Sequence, residues 1–227
     1  MSDKMFAIAL DGPAGAGKST IARKVADQLG ILYLDTGAMY RAMAWQAIRH
    51  NVDPADEAAV TDLITQTDLQ VVLSQGQQQV LINGQDVSHL IRTPEVSKAS
   101  SDISALPVIR RFLVDKQREI ARRQPLVLDG RDIGTYVLPQ AAWKFFLTAS
   151  VDERARRRLL DLQARGDRTS TLAAVRQEIE YRDAQDSNRA MAPLRQAEDA
   201  CLIDTTDLSI EEVVDVIVRQ IDSSKND

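Results

Sequence analysis

The chain has 227 residues, 44% of them hydrophobic, 27% charged and 4% aromatic, with a formal net charge of −5. That composition supplies a proper core and excludes a disordered chain, and one cysteine, Cys201, excludes both a disulfide-stapled fold and a cysteine metal cluster. With only His50 and His89, a zinc enzyme is disfavoured; the negative charge and scarce aromatics argue against a nucleic-acid polymer as partner.

In chain order, residues 1–5 lead straight into an apolar run, 6–11, that ends in an acid and reads as a buried strand. Residues 18–29 carry Ile21, Val25 and Leu29 at helical spacing, and Gly30 closes them. A second strand is expected over 31–34 and a helix over 38–49. Residues 126–129, 143–147 and 200–203 supply three more strands, and 108–123, 152–164, 172–185 and 210–221 read as helices. The economical arrangement is α/β: a three-layer sandwich with five parallel strands and helices on both faces. One stretch breaks the alternation. Residues 69–74 and 79–83 are short β-rich runs joined by Gln75-Gly76-Gln77-Gln78, followed by the tight-turn dipeptide Asn83-Gly84. They predict a small antiparallel insert over 68–88, at its widest 63–103, within one domain spanning 1–227. Residues 223–227 are expected to be a frayed tail. No run approaches the ~20 apolar residues of a membrane span and no signal-like core opens the chain, so a cytoplasmic protein is expected.

Gly12-Pro13-Ala14-Gly15-Ala16-Gly17-Lys18-Ser19 matches G-x-x-x-x-G-K-[ST], between an apolar strand and an amphipathic helix. Glycines let successive amides converge on phosphate oxygens, and the helix N-terminus adds its positive end. Lys18 would reach the β- and γ-phosphates and Ser19 would ligate Mg²⁺. A glycine-rich structural turn is the competing reading. Asp35 and Thr36, at the carboxyl end of the second strand, would face the cleft, with Arg41 one or two turns further on. Asp129 ends another strand in the manner of an Mg²⁺-organising carboxylate, directly before Arg131 and Asp132; a turn acid and a surface arginine are the bland alternatives.

Arginines outnumber lysines 21 to 7. Codon usage accounts for such an excess as well as phosphate binding does, so position must decide. Arg154, Arg157 and Arg158 share a helical face and would repel one another unless an anion sat among them, Asp161 relieving only part of this. Arg182, Asp186 and Arg189 share another face, where Arg182 and Asp186 are also spaced for an intrahelical ion pair worth ~0.2–0.5 kcal/mol. Arg110 and Arg111 sit near a helix N-terminus, an unfavourable place for a cation. At least five arginines fall on segments expected to converge, as phosphoryl transfer requires. A helix carrying Arg154, Arg157 and Arg158 would serve as a lid over 152–168, hinged at Gly166.

Taken together, DGPAGAGKST, DTGAMYR, VLDGRDIGT and RDAQDSNRAMAPL resemble the bacterial cytidylate kinases, which are nucleoside monophosphate kinases. The resemblance covers nearly the whole chain, and the sandwich it implies is of the P-loop NTPase type. It implies that MgATP donates its γ-phosphoryl group to CMP or dCMP, with residues 12–19 and Thr20 holding the ATP phosphates. It implies that Arg41, Arg131 and Arg189 grip the CMP phosphate, and that Thr36, Arg110 and Asp132 read the cytosine edge. Ser101, Arg182 and Asp186 would contact the sugar, and Arg154, Arg157 and Arg158 would belong to the lid. Lys18, Asp129, Arg131 and Arg158 are the expected catalytic set, Mg²⁺ the cofactor, and a monomer the expected assembly. A carboxylate at Asp132 accepts from the cytosine amino group and rejects the carbonyl of uracil, and one unpaired buried polar group costs ~1–3 kcal/mol. The alternatives are a small P-loop kinase acting on UMP, AMP or a metabolite, and a P-loop switch. The absence of an Asn-Lys-x-Asp motif speaks against the switch.

Overall fold

The central strand, Ala7–Asp11, has all five residues buried, as expected of a parallel strand covered on both sides. The computed structural model describes residues 6–74, 77–164 and 166–223, without the side chains of 73, 74 and 77. The expectations for residues 1–5, for Gln75 and Gly76 of the connecting turn, and for 224–227 of the tail lie outside the described residues. The elements in chain order are β1 (Ala7–Asp11), α1 (Lys18–Leu29), β2 (Leu32–Asp35), α2 (Thr36–Arg49), α3 (Glu57–Thr65), β3 (Leu69–Ser74), β4 (Gln77–Ile82) and β5 (Gln85–Asp86). They continue with α4 (Pro94–Ile103), α5 (Pro107–Ala121), β6 (Leu126–Gly130), β7 (Trp143–Thr148), α6 (Val151–Ala164), α7 (Leu172–Asn188), β8 (Cys201–Asp204) and α8 (Ile210–Ser223). A single π-helical turn, Ile133–Val137, lies between β6 and β7. The chain divides into two compact units, one of residues 1–31 and 125–227, the other Leu32–Gln124.

The first unit is built on four strands of a five-stranded sheet, in the order β6-β1-β7-β8, all parallel. In register, Asp11 lies beside Gly130 and Phe146, so the end of β1 and the end of β6 reach the same edge. That is the edge where parallel sheets bind ligands. Helix α1 spans the expected residues; Gly30 takes a left-handed φ of 64° and returns its N–H to Ala26 and Asp27. Helix α8 buries Val213, Val214, Ile217, Val218 and Ile221 along one face, each worth ~1.5–3 kcal/mol of burial.

In the second unit, Asp35 caps α2 by accepting the Ala38 N–H. The insert is a three-stranded antiparallel sheet, β3-β4-β5, with Leu69 opposite Ile82. Asn83 and Gly84 both take positive φ, 49° and 79°, as a tight hairpin turn between β4 and β5 demands. Two helices were not expected. Helix α3 starts on an Asp56 cap, and α4 on a Thr93 cap with Pro94 in its first turn. Both start signals were present in the sequence, and Val96, Ala99 and Ile103 stand at i, i+3 and i+7, but with serines and charges filling the other positions of 94–103 the apolar stripe that α4 buries is thin.

Candidate active site

The loop between β1 and α1 holds three glycines in conformations an L-residue avoids: Gly12 at φ 147°, Gly15 at 77° and Gly17 at 82°. Gly12 is also a matter of space, because a Cβ there would lie 2.0 Å from the Leu147 carbonyl oxygen. Lys18, buried, donates from Nζ to the Pro13 carbonyl at 2.6 Å, so the ammonium is drawn back over its own loop. Burial, reinforced by the Arg131 cation and opposed by Asp129, Asp186 and Asp11, brings its pKa down to about 7. Ser19 Oγ donates to Asp129 Oδ2 at 2.6 Å. The hydroxyl and the strand-end carboxylate expected to share a cation thus meet, and an all-oxygen pair suits Mg²⁺, which takes few protein ligands and keeps waters and phosphate oxygens. Among the described residues no group of three or more His, Cys, Asp or Glu side chains is placed to hold a metal. The residues fit a cation carried in with a nucleotide rather than a protein cage.

Sequence reasoning missed Asp11, although an acid closing an apolar strand was visible. Its two oxygens accept the N–H groups of Ile133 and Gly134 at 2.8 and 2.7 Å, at the start of the π-helical turn. Burial, only partly offset by those two donors, pushes its pKa up to about 7. This carboxylate therefore fixes the turn that follows Arg131 and Asp132.

Four of the expected acceptor residues of the first unit form one network. Arg131 Nε donates to Asp186 Oδ2 at 2.7 Å. Arg189 donates from Nη2 to Asp132 Oδ1 at 3.1 Å and from Nε to the Ala192 carbonyl at 2.6 Å, with Nη1 3.5 Å from Asp186. The Arg182–Asp186 ion pair suggested by their spacing does not form. Asp186 faces the two other arginines, and Arg182 turns back to Glu178 at 3.6 Å. Burial and the neighbouring Arg131, only partly offset by Glu178 and Asp186, bring the Arg182 pKa down to about 10, the signature of cations crowded in a confined space.

In the second unit, Arg41 Nη2 lies 2.8 Å and Arg92 Nη2 3.6 Å from Asp35 Oδ2. Although burial opposes it, these cations hold the Asp35 carboxyl below its usual range. Arg41 Nε is buried without a hydrogen-bond partner, a spare donor consistent with an anion site. Gly37 leaves room for this guanidinium, since a Cβ there would sit 3.0 Å from Arg41 Nη1. Gln78 of the insert, also missed, clamps the Asp35 backbone at both ends: it accepts the N–H at 2.7 Å and donates to the carbonyl at 3.1 Å. Thr36 and Arg110 are buried; Arg110 lies over the Tyr40 ring at 5.6 Å and 3.4 Å from the Ser104 carbonyl. Ser101 is half-buried, with its hydroxyl 3.5 Å from the Ser97 carbonyl of its own helix.

The arginines of α6 differ from one another more than their spacing implies. Arg154 is buried, donating to the carbonyls of Ala149 at 3.0 Å and Ala14 at 2.9 Å, and to Asp183. Arg157 donates to Glu153, to Thr205 Oγ1 at 2.9 Å and to the Thr205 carbonyl at 2.6 Å. Their mutual repulsion is relieved by Asp183 and Glu153, not by Asp161. Hydrogen bonds from Arg156, then Arg157, hold Glu153 down at about 2. The guanidinium of Arg158, partly exposed, has no hydrogen-bond or ionic partner among the described residues. Gly166 follows at φ 93°, with open space around it where a Cβ would stand.

The chain matches the family model described as cytidylate kinase over residues 8–223. It is 51% identical over 218 residues to a cytidylate kinase of Halalkalibacterium halodurans, covering 96% of this chain and 98% of that one. It is 54% identical over 217 residues to a bifunctional pantoate ligase/cytidylate kinase of Synechococcus elongatus, covering 93% of this chain; this chain spans 41% of that longer protein. Among solved structures, an uncharacterized protein from Eubacterium ventriosum shares the fold, with a TM-score of 0.54 at 15% identity over 97% of this chain and 99% of that one. With the phosphate loop and the arginine–carboxylate network in place, the match over nearly the whole length shows that the chain belongs to the cytidylate kinase family.

Proposed function

We propose that the protein transfers the γ-phosphoryl group of MgATP to CMP or dCMP, yielding ADP and CDP or dCDP. The observation that carries this reading is the Arg131–Asp186–Arg189–Asp132 network, in the same unit as the phosphate loop and its Ser19–Asp129 bond. In this reading the loop amides and Lys18 hold the β- and γ-phosphates, and Ser19 and Asp129 hold Mg²⁺ or its waters. The cation supplies charge neutralisation on the transferring group. Arg131 and Arg158 stabilise charge on the moving phosphoryl group, while Arg41, Arg131 and Arg189 receive the acceptor phosphate. Asp132, with one oxygen held by Arg189, accepts from the cytosine amino group; Thr36 and Arg110 donate to the ring acceptors. Ser101, Arg182 and Asp186 contact the sugar, the insert over 68–88 serves the monophosphate, and Arg154 and Arg157 contribute to the ATP side. The 152–168 lid, part of which (Arg165) lies outside the described residues, closes over both nucleotides.

The reading carries with it a cytoplasmic monomer acting on small nucleotides rather than a nucleic-acid polymer or a membrane. The net charge of −5 supports the exclusion of the polymer. No helix of the described residues is long and apolar enough to cross a membrane. An ADP-release assay offering CMP, dCMP, UMP and AMP in turn tests the proposal. CMP and dCMP should be the preferred acceptors; ADP release without any acceptor, or preference for AMP or UMP, would overturn it.

A further inference from the structure

Ala14, third residue of the phosphate loop, is gripped from both sides by groups outside the loop. Its N–H donates to Asp183 Oδ1 at 3.1 Å, and its carbonyl accepts from Arg154 Nη1 at 2.9 Å. The same Nη1 donates to Asp183 Oδ2, so three hydrogen bonds close a ring through the loop. Arg154 is further fixed by its bond to the Ala149 carbonyl and by close packing: its Cβ and carbonyl oxygen each lie 3.0 Å from where Gly15 would carry a Cβ. Both members of the pair stand on one helical hairpin. Ala155 of α6 and Val175 and Ile179 of α7 form a small core of their own, flanked by Val151, Leu159 and Leu162.

A loop with three glycines at positive φ has wide freedom when nothing outside restrains it. Its amides converge on a phosphate only if that freedom is removed beforehand, which is where preorganisation raises affinity. We infer that Asp183 is a positioning residue for the ATP side of the reaction, acting through Arg154 and the Ala14 peptide to hold the phosphate loop in its binding shape. The inference rests on the reading of residues 12–19 as the ATP cradle. It runs against simple adjacency, since Asp183 follows Arg182 and precedes Asp186, both assigned to the acceptor. The geometry separates them: Asp186 joins Arg131 and Arg189, whereas Asp183 joins the loop.

The test is steady-state kinetics of Asp183→Ala and Asp183→Asn, with calorimetric binding of a non-hydrolysable ATP analogue with Mg²⁺ and, separately, of CMP. Asp183→Ala should raise KM for ATP and weaken the analogue about tenfold while leaving KM and Kd for CMP within twofold. Asp183→Asn keeps an acceptor for the Ala14 N–H and should show a smaller loss of the same kind. Should the alanine variant fail to fold, the asparagine variant decides by the same split. A CMP effect as large as the ATP effect overturns the inference. So does an unchanged ATP affinity, even with lowered kcat or melting temperature, because a merely structural role produces that pattern. Analogue binding needs no acceptor chemistry, so it reads the inference even if wild-type enzyme rejects CMP.

Discussion

Replacing Asp11 by asparagine removes a charge from a buried strand end; it also sets an amide NH2 against one of the two backbone N–H groups that Asp11 accepts, a cost that does not vary with pH. The carboxylate accepts two backbone N–H groups, yet burial still pushes its pKa from 3.8 up to about 7. A carboxyl whose folded pKa lies above its unfolded one binds more protons folded than unfolded between the two values. Its contribution to stability is therefore full below about pH 4 and lost as pH rises through 7. About three pKa units at 1.36 kcal/mol each gives about 4 kcal/mol. Asparagine has no such proton to lose. Urea unfolding of both proteins from pH 4.5 to 8, followed by the fluorescence of Trp143 beside Phe6 in the same unit, measures the difference. Relative to wild type, Asp11→Asn should gain about 3 kcal/mol between pH 4.5 and 8, the remainder of the difference lying below pH 4.5. A difference constant with pH would refute the assignment of a strained, buried charge to Asp11.

Lys18, whose pKa is drawn down to about 7 by burial first and Arg131 second, should be mostly neutral at pH 8 without nucleotide. Binding of an ATP analogue should then take up close to one proton at pH 8 and much less at pH 6; calorimetry in buffers of different ionisation enthalpy checks this, and zero uptake at pH 8 would contradict it. Asp132→Ala removes the carboxylate proposed to accept from the cytosine amino group, together with a partner of Arg189, so KM for CMP should rise about 10- to 100-fold, from ~1–3 kcal/mol for an unpaired buried group. KM for ATP should change far less, and equal losses would make Asp132 structural. Gly12→Ala places a Cβ 2.0 Å from the Leu147 carbonyl, backbone against backbone, so the variant should lose its folded state or its nucleotide binding at 25 °C; near-normal analogue affinity would show that the loop can shift.

Much of the fold was legible in the sequence because the relevant signals are local. The phosphate loop, the Gly30 stop and the Asn83-Gly84 turn each depend on a few consecutive residues. Parallel strands announce themselves as continuous apolar runs. What escaped was long-range. Asp183 meets Ala14 across 169 positions, and Asp11 meets Ile133 across 122, distances at which periodicity says nothing. The same limit explains the pairing on α7. Helical spacing offers Asp186 to Arg182, but a half-buried carboxylate goes to the cations that enclose it, here Arg131 and Arg189. Helical spacing put Arg154 and Arg157 on one face, yet only the folded chain reveals that backbone carbonyls and acids, rather than repulsion, define their surroundings.

In the proposed reaction the γ-phosphoryl group of ATP moves to a cytosine nucleotide. Incubation with ATP labelled in that group, in the presence of Mg²⁺ and CMP, tests it most directly. The label should appear in CDP, in step with ADP formation, and stay in ATP when CMP is withheld. Label recovered as inorganic phosphate at the same rate with and without CMP would show hydrolysis in place of transfer to the nucleotide.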